Sequence, residues 1–149
     1  MALETVLKGI EREVSNDSIR EPTGKYVVDG LMPKIVLYPR DVNELSVMMK
    51  NISKERLGVI PMVNGSKTFM GNVPRAYDVA LDLSRVYRVI EPDPEEMVGV
   101  YGVSASFNEV QEELRRVGRR LPIDPPLSSR SSIGGVFSCN LFGPLAYTF

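Results

Sequence analysis

Apolar residues recur every three or four positions in three stretches of the chain, which is the spacing of an amphipathic helix. The first stretch covers residues 2–14. The second follows Asp41, a helix-capping residue, and Glu44 completes the signal for a capping box. The third follows Ser106 and Glu109, which repeat that signal, and is expected to stop at Gly118. The predicted buried faces are Leu3, Val6, Leu7, Ile10 and Val14; Val42, Leu45, Met48, Met49 and Ile52; and Phe107, Val110, Leu114 and Val117.

Short apolar runs between these stretches predict five strands. They lie at residues 35–39, 58–63, 78–84, 86–91 and 97–102, and the turn-rich PDPEE separates the last two. Helices and strands thus alternate along the chain. A chain of 149 residues is long enough for a hydrophobic core, so we expect a single domain over residues 1–149.

Composition and charge argue against several classes of function. The chain is 43% hydrophobic and 25% charged, and its formal net charge of -1 gives no reason to expect nucleic acid binding. No apolar run approaches the length of a membrane span, and the first residues carry acids within their apolar spacing, unlike a secretory signal. With one cysteine, Cys139, these features predict a cytoplasmic protein. We expect Cys139 to be a small buried side chain.

The chain contains no histidine. This excludes a Ser-His-Asp triad, a histidine-ligated zinc and a flavin attached through a histidine ring, and no metal site is predicted. If the protein is an enzyme, we therefore expect a bound cofactor to supply the chemistry.

Four arginines end the third predicted helix, in the sequence EELRRVGRRLP. The negative end of the helix dipole favours cations at this position, and Glu112 and Glu113 lie beside them. We interpret the arginines as a solvated helix end. The alternative is an anion-binding patch.

The stretch VNGSKTFMGN, residues 63–72, follows a predicted strand and has two interpretations. An Asn-Gly pair between apolar runs is typical of a β-hairpin. However, the following residues lack the alternation of a returning strand. Gly65 and Asn64 tolerate positive φ, which lets backbone amides converge on an anion, and Lys67 can add a charge. The residue chemistry alone leaves the hairpin and the anion-binding loop equally open.

The stretch LPIDPPLSSRSSIGGVFSCNLFGP, residues 121–144, combines prolines, serines and a glycine pair. The serines offer a helix cap, and Gly134 and Gly135 can let a ligand approach the start of a helix closely. The alternative is a disordered tail, which this composition often indicates. Val136, Phe137, Leu141 and Phe142 argue against a tail and predict a buried helix after the loop.

In this order, the two stretches resemble the amino-terminal FAD-binding domain of the vanillyl-alcohol oxidase and p-cresol methylhydroxylase superfamily, called PCMH-type. The sequence is most similar to the FAD-binding subunit of glycolate oxidase, and the likeness covers residues 33–144. Asn64 stands where the family has glycine, and its tolerance of positive φ makes it acceptable. The matching residues are Asn64, Gly65, Ser66, Lys67 and Gly71; Leu121, Pro122, Asp124, Pro125 and Pro126; and Ser132, Ile133, Gly134, Gly135, Asn140, Gly143 and Pro144.

The resemblance implies an α+β fold, the first subdomain of a PCMH-type FAD-binding domain, in which a small mixed sheet is flanked by helices. It implies that both loops hold the diphosphate of FAD. We expect the FAD to be bound non-covalently, because the chain has no histidine and Cys139 is expected to be buried.

The resemblance also implies an FAD-linked oxidoreductase that acts on a 2-hydroxy acid such as glycolate or lactate, with hydride transfer to flavin N5. The alternatives are a non-catalytic remnant or assembly subunit that needs a partner chain, and a sugar-nucleotide reductase of the same fold. No catalytic side chain is assigned. The implied cofactor-binding residues are Asn64, Gly65, Ser66, Lys67, Pro125, Ser131, Ser132, Ile133, Gly134, Gly135, Asn140 and Gly143.

The resemblance also has a consequence for partners. The family completes its flavin site with a second subdomain that follows the region matched here. We therefore expect the chain alone to be incomplete, and to associate with itself or with a separate subunit. The uncharged final stretch VFSCNLFGPLAYTF is the expected interface.

Overall fold

The computed structural model describes residues 2–148, and the chain divides into two units, Met1–Val86 and Tyr87–Phe149. The sequence predicts one domain over the same residues. Among residues 2–148, no helix is both long and apolar enough to cross a membrane. Each unit has its own arrangement of helices and strands.

The first unit is built on a four-stranded mixed sheet in the order β1-β2-β4-β3. Strand β1 is antiparallel to β2, whereas β2, β4 and β3 are parallel to one another. Met62 and Asp82 are paired at the ends of β3 and β4, so both strands end at the same edge of the sheet. The elements are α1 (Ala2–Ile10), β1 (Ile19–Arg20), β2 (Ile35–Leu37), α2 (Val42–Glu55), β3 (Val59–Met62) and β4 (Val79–Asp82), with 3₁₀ turns at Asn16–Ser18 and Gly24–Tyr26.

The core of the first unit confirms most of the predicted helical faces. Val6 and Ile10 of α1 and Met48 and Ile52 of α2 are buried against the sheet, although α1 ends before Val14. The prediction is wrong for Val42 and Met49, which are exposed. The buried face of α2 is formed by Glu44, Met48 and Ile52, which follow one another at intervals of four residues. Val42 and Met49 lie outside this face and therefore point toward solvent.

Asp41 caps α2 as predicted, because its Oδ1 accepts hydrogen bonds from the amides of Asn43 and Glu44. Glu44 does not complete the predicted box with Asp41. Its carboxylate accepts instead from the amide of Arg40 at 2.9 Å and from the Ser18 hydroxyl at 2.7 Å. Glu44 therefore joins the start of α2 to the 3₁₀ turn that precedes β1.

The second unit contains an antiparallel pair of strands and two helices. The elements are β5 (Ile90–Asp93), β6 (Val98–Tyr101), α3 (Phe107–Arg116) and α4 (Ile133–Ser138), with 3₁₀ turns at Ser128–Arg130 and Pro144–Tyr147. β5 begins later than the predicted strand at 86–91, because Tyr87 has a φ of 49° and interrupts extended backbone. The core residues are Ala105, Phe107, Val110, Leu114, Ile123, Ile133 and Val136.

Several apolar residues of the second unit are more exposed than predicted. Val117 is exposed because α3 has already ended, and Gly118 has the positive φ typical of a helix end. α4 forms as predicted, but it buries Ile133 and Val136, whereas Phe137 and Phe142 are exposed. Cys139 is only partly buried, which contradicts its predicted burial.

Candidate functional site

The loop of residues 63–72 lies where ligands bind in open sheets with parallel strands. It begins directly after β3, at the carboxyl ends of the parallel strands β3 and β4. The hairpin interpretation is wrong, because β3 and β4 run in the same direction. The loop is instead a crossover segment with turns of its own.

Local hydrogen bonds shape this loop. The Thr68 hydroxyl donates to the carbonyl of Gly65 at 3.0 Å, and the Met70 amide donates to the carbonyl of Lys67 at 3.0 Å. Gly65 has a φ of 65°, and no atom lies within 4 Å of the position that a Cβ would take there. Asn64 does not have a positive φ, so the tolerance expected of this residue is not used.

Ser66 and Lys67 are unexpectedly buried for polar residues in a loop, since each is only 8% exposed. Residues 64–72 contain no carboxylate, and they present hydroxyl, amine and backbone amide groups. This set of donors fits an anionic group such as a diphosphate. Asn64, Gly65, Ser66 and Lys67 therefore lie together in a loop of suitable chemistry, whereas their contact with FAD stays a prediction.

A buried polar cluster at the same sheet edge was not predicted from the sequence. Asp82, the last residue of β4, is 1% exposed. It accepts hydrogen bonds from Lys25 Nζ at 2.7 Å, from the Tyr26 hydroxyl at 2.8 Å and from the Ser84 hydroxyl at 2.6 Å. The only local signal is Asp-Leu-Ser after an apolar strand, since Lys25 and Tyr26 are distant in sequence.

The electrostatics of this cluster keep Asp82 ionised. Burial by itself would raise the pKa of Asp82, but the hydrogen bonds from Lys25, Ser84 and Tyr26 hold it below its usual value. The pKa of Tyr26 is raised by burial and by the neighbouring carboxylate. Asp82 thus acts as a fixed negative charge that holds the Lys25–Tyr26 turn against the end of β4.

The predicted site residues of the second unit lie around the start of α4. Ser131, Ser132, Ile133 and Pro125 are buried, Gly134 and Gly135 are partly buried, and Asn140 is exposed with a φ of 52°. The Ser132 hydroxyl caps α4 by accepting from the Gly135 amide at 3.2 Å, as the sequence predicts. The Ser131 hydroxyl donates to the carbonyl of Leu127. Both serine hydroxyls therefore support the local fold.

The backbone amides at the start of α4 also have partners within the second unit. Ile133 donates to the carbonyl of Ala105 at 2.9 Å, and Gly134 donates to the carbonyl of Val103 at 3.1 Å. A Cβ added at Gly134 would lie 2.9 Å from the Val103 oxygen and 3.0 Å from the Val103 Cβ. The absent side chain of Gly134 thus leaves room for Val103, whereas the contact of Gly134 with FAD stays a prediction.

Asp124 and Gly143 show how the two ends of the second motif fit together. Asp124 Oδ1 accepts from the amide of Leu145 at 2.6 Å, and the Asp124 amide donates to the carbonyl of Phe142 at 2.9 Å. Gly143 has a φ of 74°, and a Cβ there would clash with the Asp124 carbonyl oxygen. Hydrogen bonds and close packing within the second unit therefore hold the stretch LPIDPP against the stretch FGPL.

Comparisons with known proteins identify the class of the chain. The family model described as "FAD binding domain" matches residues 33–149, so the chain belongs to the FAD binding domain family. It is 27% identical over 120 residues to D-lactate dehydrogenase [cytochrome], mitochondrial, of Arabidopsis thaliana, covering 79% of this chain and 20% of the relative. It is 24% identical over 112 residues to glycolate oxidase subunit GlcD of Bacillus subtilis, covering 75% and 24%. The chain spans about a fifth of the length of these relatives.

Solved structures support the same fold. Alkyldihydroxyacetonephosphate synthase superposes with a TM-score of 0.71 at 20% identity, covering 88% of this chain and 30% of that chain. p-Cresol methylhydroxylase superposes with a TM-score of 0.68 at 15% identity, covering 91% and 29%. The PCMH-type resemblance and the predicted fold class, a small mixed sheet flanked by helices, are confirmed.

Proposed function

We propose that the chain is the FAD-binding part of an oxidoreductase that acts on a 2-hydroxy acid such as glycolate or lactate. The observation that carries this proposal is the match to the FAD binding domain family over residues 33–149. The named activities of two relatives, D-lactate dehydrogenase and a glycolate oxidase subunit, support the substrate class. When bound, FAD would accept the hydride that leaves the α-carbon of the substrate.

The loop of residues 63–72 would hold the phosphate groups. Asn64, Gly65, Ser66 and Lys67 offer donors and no carboxylate, and they follow β3 at the carboxyl edge of the parallel strands. We propose a non-covalent attachment, since the chain has no histidine to form a link. The partly buried Cys139 is the residue to test for a covalent alternative.

Flavin binding can be tested by titrating the chain with FAD and following flavin fluorescence. Lys67→Met removes the charge at nearly constant length, and it is expected to weaken binding about tenfold, the usual effect of losing one charge-assisted hydrogen bond. Lys50→Met, on the exposed side of α2, is the matched control and should leave the affinity unchanged. Because Lys67 is buried, thermal unfolding of both variants must be compared. The absence of flavin from the protein purified from its natural source, which retains any partner, would contradict the proposal.

The substrate class can be tested on the protein purified from its natural source, which retains any partner. Anaerobic glycolate or D-lactate should bleach the flavin absorbance. A flavin that these acids leave oxidised, but that a reduced nicotinamide bleaches, would favour the sugar-nucleotide reductase instead. Acid precipitation should leave the flavin in the supernatant, whereas colour in the pellet would contradict non-covalent attachment.

We further propose that the chain works with a partner, either a second copy or a separate subunit, and that it is cytoplasmic. Exposed aromatic side chains close together in sequence support association. They are Phe137, Phe142 and Tyr147. Sedimentation at high concentration should detect association. A clean monomer that bleaches FAD with a 2-hydroxy acid at catalytic rates would contradict this proposal.

A further inference from the structure

The segment that joins β3 to β4 has no helix or strand of its own. β3 ends at Met62 and β4 begins at Val79, and we call residues 63–78 between them the crossover segment. Parallel strands are usually joined through a helix that packs on one face of the sheet. The crossover segment carries the loop of residues 63–72, and other contacts must hold it in place.

Two buried tyrosines lie on the face of the sheet opposite the helices. α1 and α2 pack on one face, and successive residues of a strand point to opposite faces. Tyr26 belongs to the 3₁₀ turn before β2, and Tyr77 belongs to the crossover segment. The cluster on this face is formed by Tyr26, Val28, Val36, Met62, Tyr77 and Ala80.

The hydroxyl of Tyr26 is connected to the start of the crossover segment. It donates to Asp82 Oδ2 at 2.8 Å. Asp82 is paired in register with Met62, the last residue of β3, and the amide of Leu83 donates to the Met62 carbonyl at 2.8 Å. The Tyr26 side chain is therefore fixed to the point at which the crossover segment leaves the sheet.

The backbone of Tyr26 is bound to the other end of the crossover segment. The Tyr77 hydroxyl donates to the Tyr26 carbonyl oxygen at 2.9 Å. Burial raises the pKa of Tyr77 to about 12, so this hydroxyl keeps its proton at neutral pH. The two residues are only 6% and 7% exposed, and a buried hydroxyl that loses its partner is costly. Both bonds of Tyr26 therefore favour one position of the crossover segment.

We propose that Tyr26 is a positioning residue for the loop of residues 63–72, because it holds the crossover segment at both ends. A loop that is already held in its binding conformation loses less conformational entropy when the ligand binds. The inference rests on the proposed function, since it takes this loop as the site of the FAD phosphates. Tyr26 itself lies outside residues 33–149, which the family model matches.

Hydrogen exchange of the chain without ligand tests whether Tyr26 holds the loop. Tyr26→Phe removes the hydroxyl and keeps the ring, and exchange in residues 64–72 is expected to become about fivefold faster, while α1 and α2 exchange as before. Tyr77→Phe, which removes the bond at the other end, should raise the same rates. Tyr38→Phe is the matched control. It removes a hydroxyl bonded to Ser84, directly after β2, and should leave the loop unchanged.

A comparison of FAD with riboflavin tests whether this positioning serves the phosphates. Riboflavin carries the same ring system without phosphate. In the protein produced in its natural host, which retains any partner, Tyr26→Phe should weaken FAD binding about fivefold and riboflavin binding less than about twofold. Tyr38→Phe should change neither affinity by more than about twofold.

Two outcomes would overturn the inference. Unchanged exchange of residues 64–72 in Tyr26→Phe or Tyr77→Phe would show that these bonds do not hold the loop. Equal losses of FAD and riboflavin affinity would show that Tyr26 supports the fold alone. A natural-source protein without flavin would instead count against the proposed function, and exchange in the chain without ligand would still decide whether Tyr26 holds the loop.

Discussion

The loop after β3 and the second stretch, residues 121–144, both contain glycines, but these glycines have different neighbours. At Gly65 the space beside the backbone is open, and the same is true at Gly71, which also has a positive φ. At Gly134 and Gly143 that space is taken by Val103 and Asp124 of the same unit. The first loop can receive a ligand beside its backbone, whereas the second uses its glycines to let chain segments approach.

This difference is informative about sequence motifs. A glycine pair shows that something comes close to the backbone, but it does not show whether that neighbour is a ligand or another part of the protein. In this chain the distances to neighbouring atoms separate the two cases. Substitutions in the two units can therefore test the comparison directly.

The largest effect is expected from Gly143→Ala. Gly143 has φ 74° and ψ 176°, a conformation that essentially only glycine adopts, and the new Cβ would clash with backbone of Asp124. We expect a loss of about 3 kcal/mol or more in unfolding free energy, measured by chemical denaturation and by hydrogen exchange of residues 121–148. Gly118→Ala, with a φ of 69° and open space around it, should lose only about 1 to 2 kcal/mol. Equal losses would contradict the assigned clash.

A pH-dependent effect in acid is expected in the first unit. Burial would raise the pKa of Glu44, but hydrogen bonds from Arg40, Ser18 and Ser15 lower it from 4.5 to about 2. Because the folded pKa is depressed, this stabilisation is complete above pH 4.5 and is lost as the pH falls toward 2, with a total of about 3 kcal/mol. Hydrogen exchange between pH 5 and 2.5 should show the first unit opening. Glu44→Gln should remove the share of this pH dependence that comes from Glu44, while Asp82, whose pKa is also lowered, keeps a further share. An unchanged profile would refute the assignment.

A moderate effect is expected from Asp82→Asn at the sheet edge beside the first loop. The substitution removes the ion pair with Lys25, whose side chain is 49% exposed, and weakens the bonds from Tyr26 and Ser84. We expect a loss of about 2 kcal/mol, smaller than for a fully buried pair because Lys25 can turn to solvent. The measurement is urea denaturation, with Asp29→Asn, an exposed turn residue, as the control. A loss below that of the control would show that the cluster has no stabilising role.

The smallest effect is expected from Gly134→Ala. The new methyl would stand 2.9 Å from the Val103 oxygen, so a shift of a few tenths of an ångström is needed, while alanine favours the helix. We expect a net loss of about 1 kcal/mol. Gly24→Ala, where no atom lies within 4 Å and φ is not positive, should change stability by less than about 0.5 kcal/mol. A Gly134→Ala variant that is more stable than the original protein would contradict the comparison, since it would show that packing against Val103 does not require glycine.

Features that depend on neighbouring residues were predicted well from the sequence, whereas features that depend on residues distant in sequence were not. The caps at Asp41, Ser106 and Ser132 depend on residues within a few positions, and all three are present. The face that α2 buries was predicted less well. It includes Glu44, whose partner Ser18 is distant in sequence, and it leaves Val42 and Met49 exposed.

The candidate site shows the same limit. Asn64 to Lys67 could be placed in a loop after a strand because the strand and the turn residues adjoin them. The cluster around Asp82 could not be predicted, because Lys25 and Tyr26 are 57 and 56 residues away. The partner of Gly134, Val103, is equally invisible in a single sequence.

The hydrogen bonds of Glu44 also affect the order of folding events. They join this carboxylate to Ser15 and Ser18, which are 29 and 26 residues away in sequence. Closing a loop of that length costs entropy before any bond forms, so we expect the contact to form after α2 and the neighbouring turn. A contact that forms after the transition state acts mainly on the unfolding rate, so we expect Glu44 to slow unfolding of the first unit.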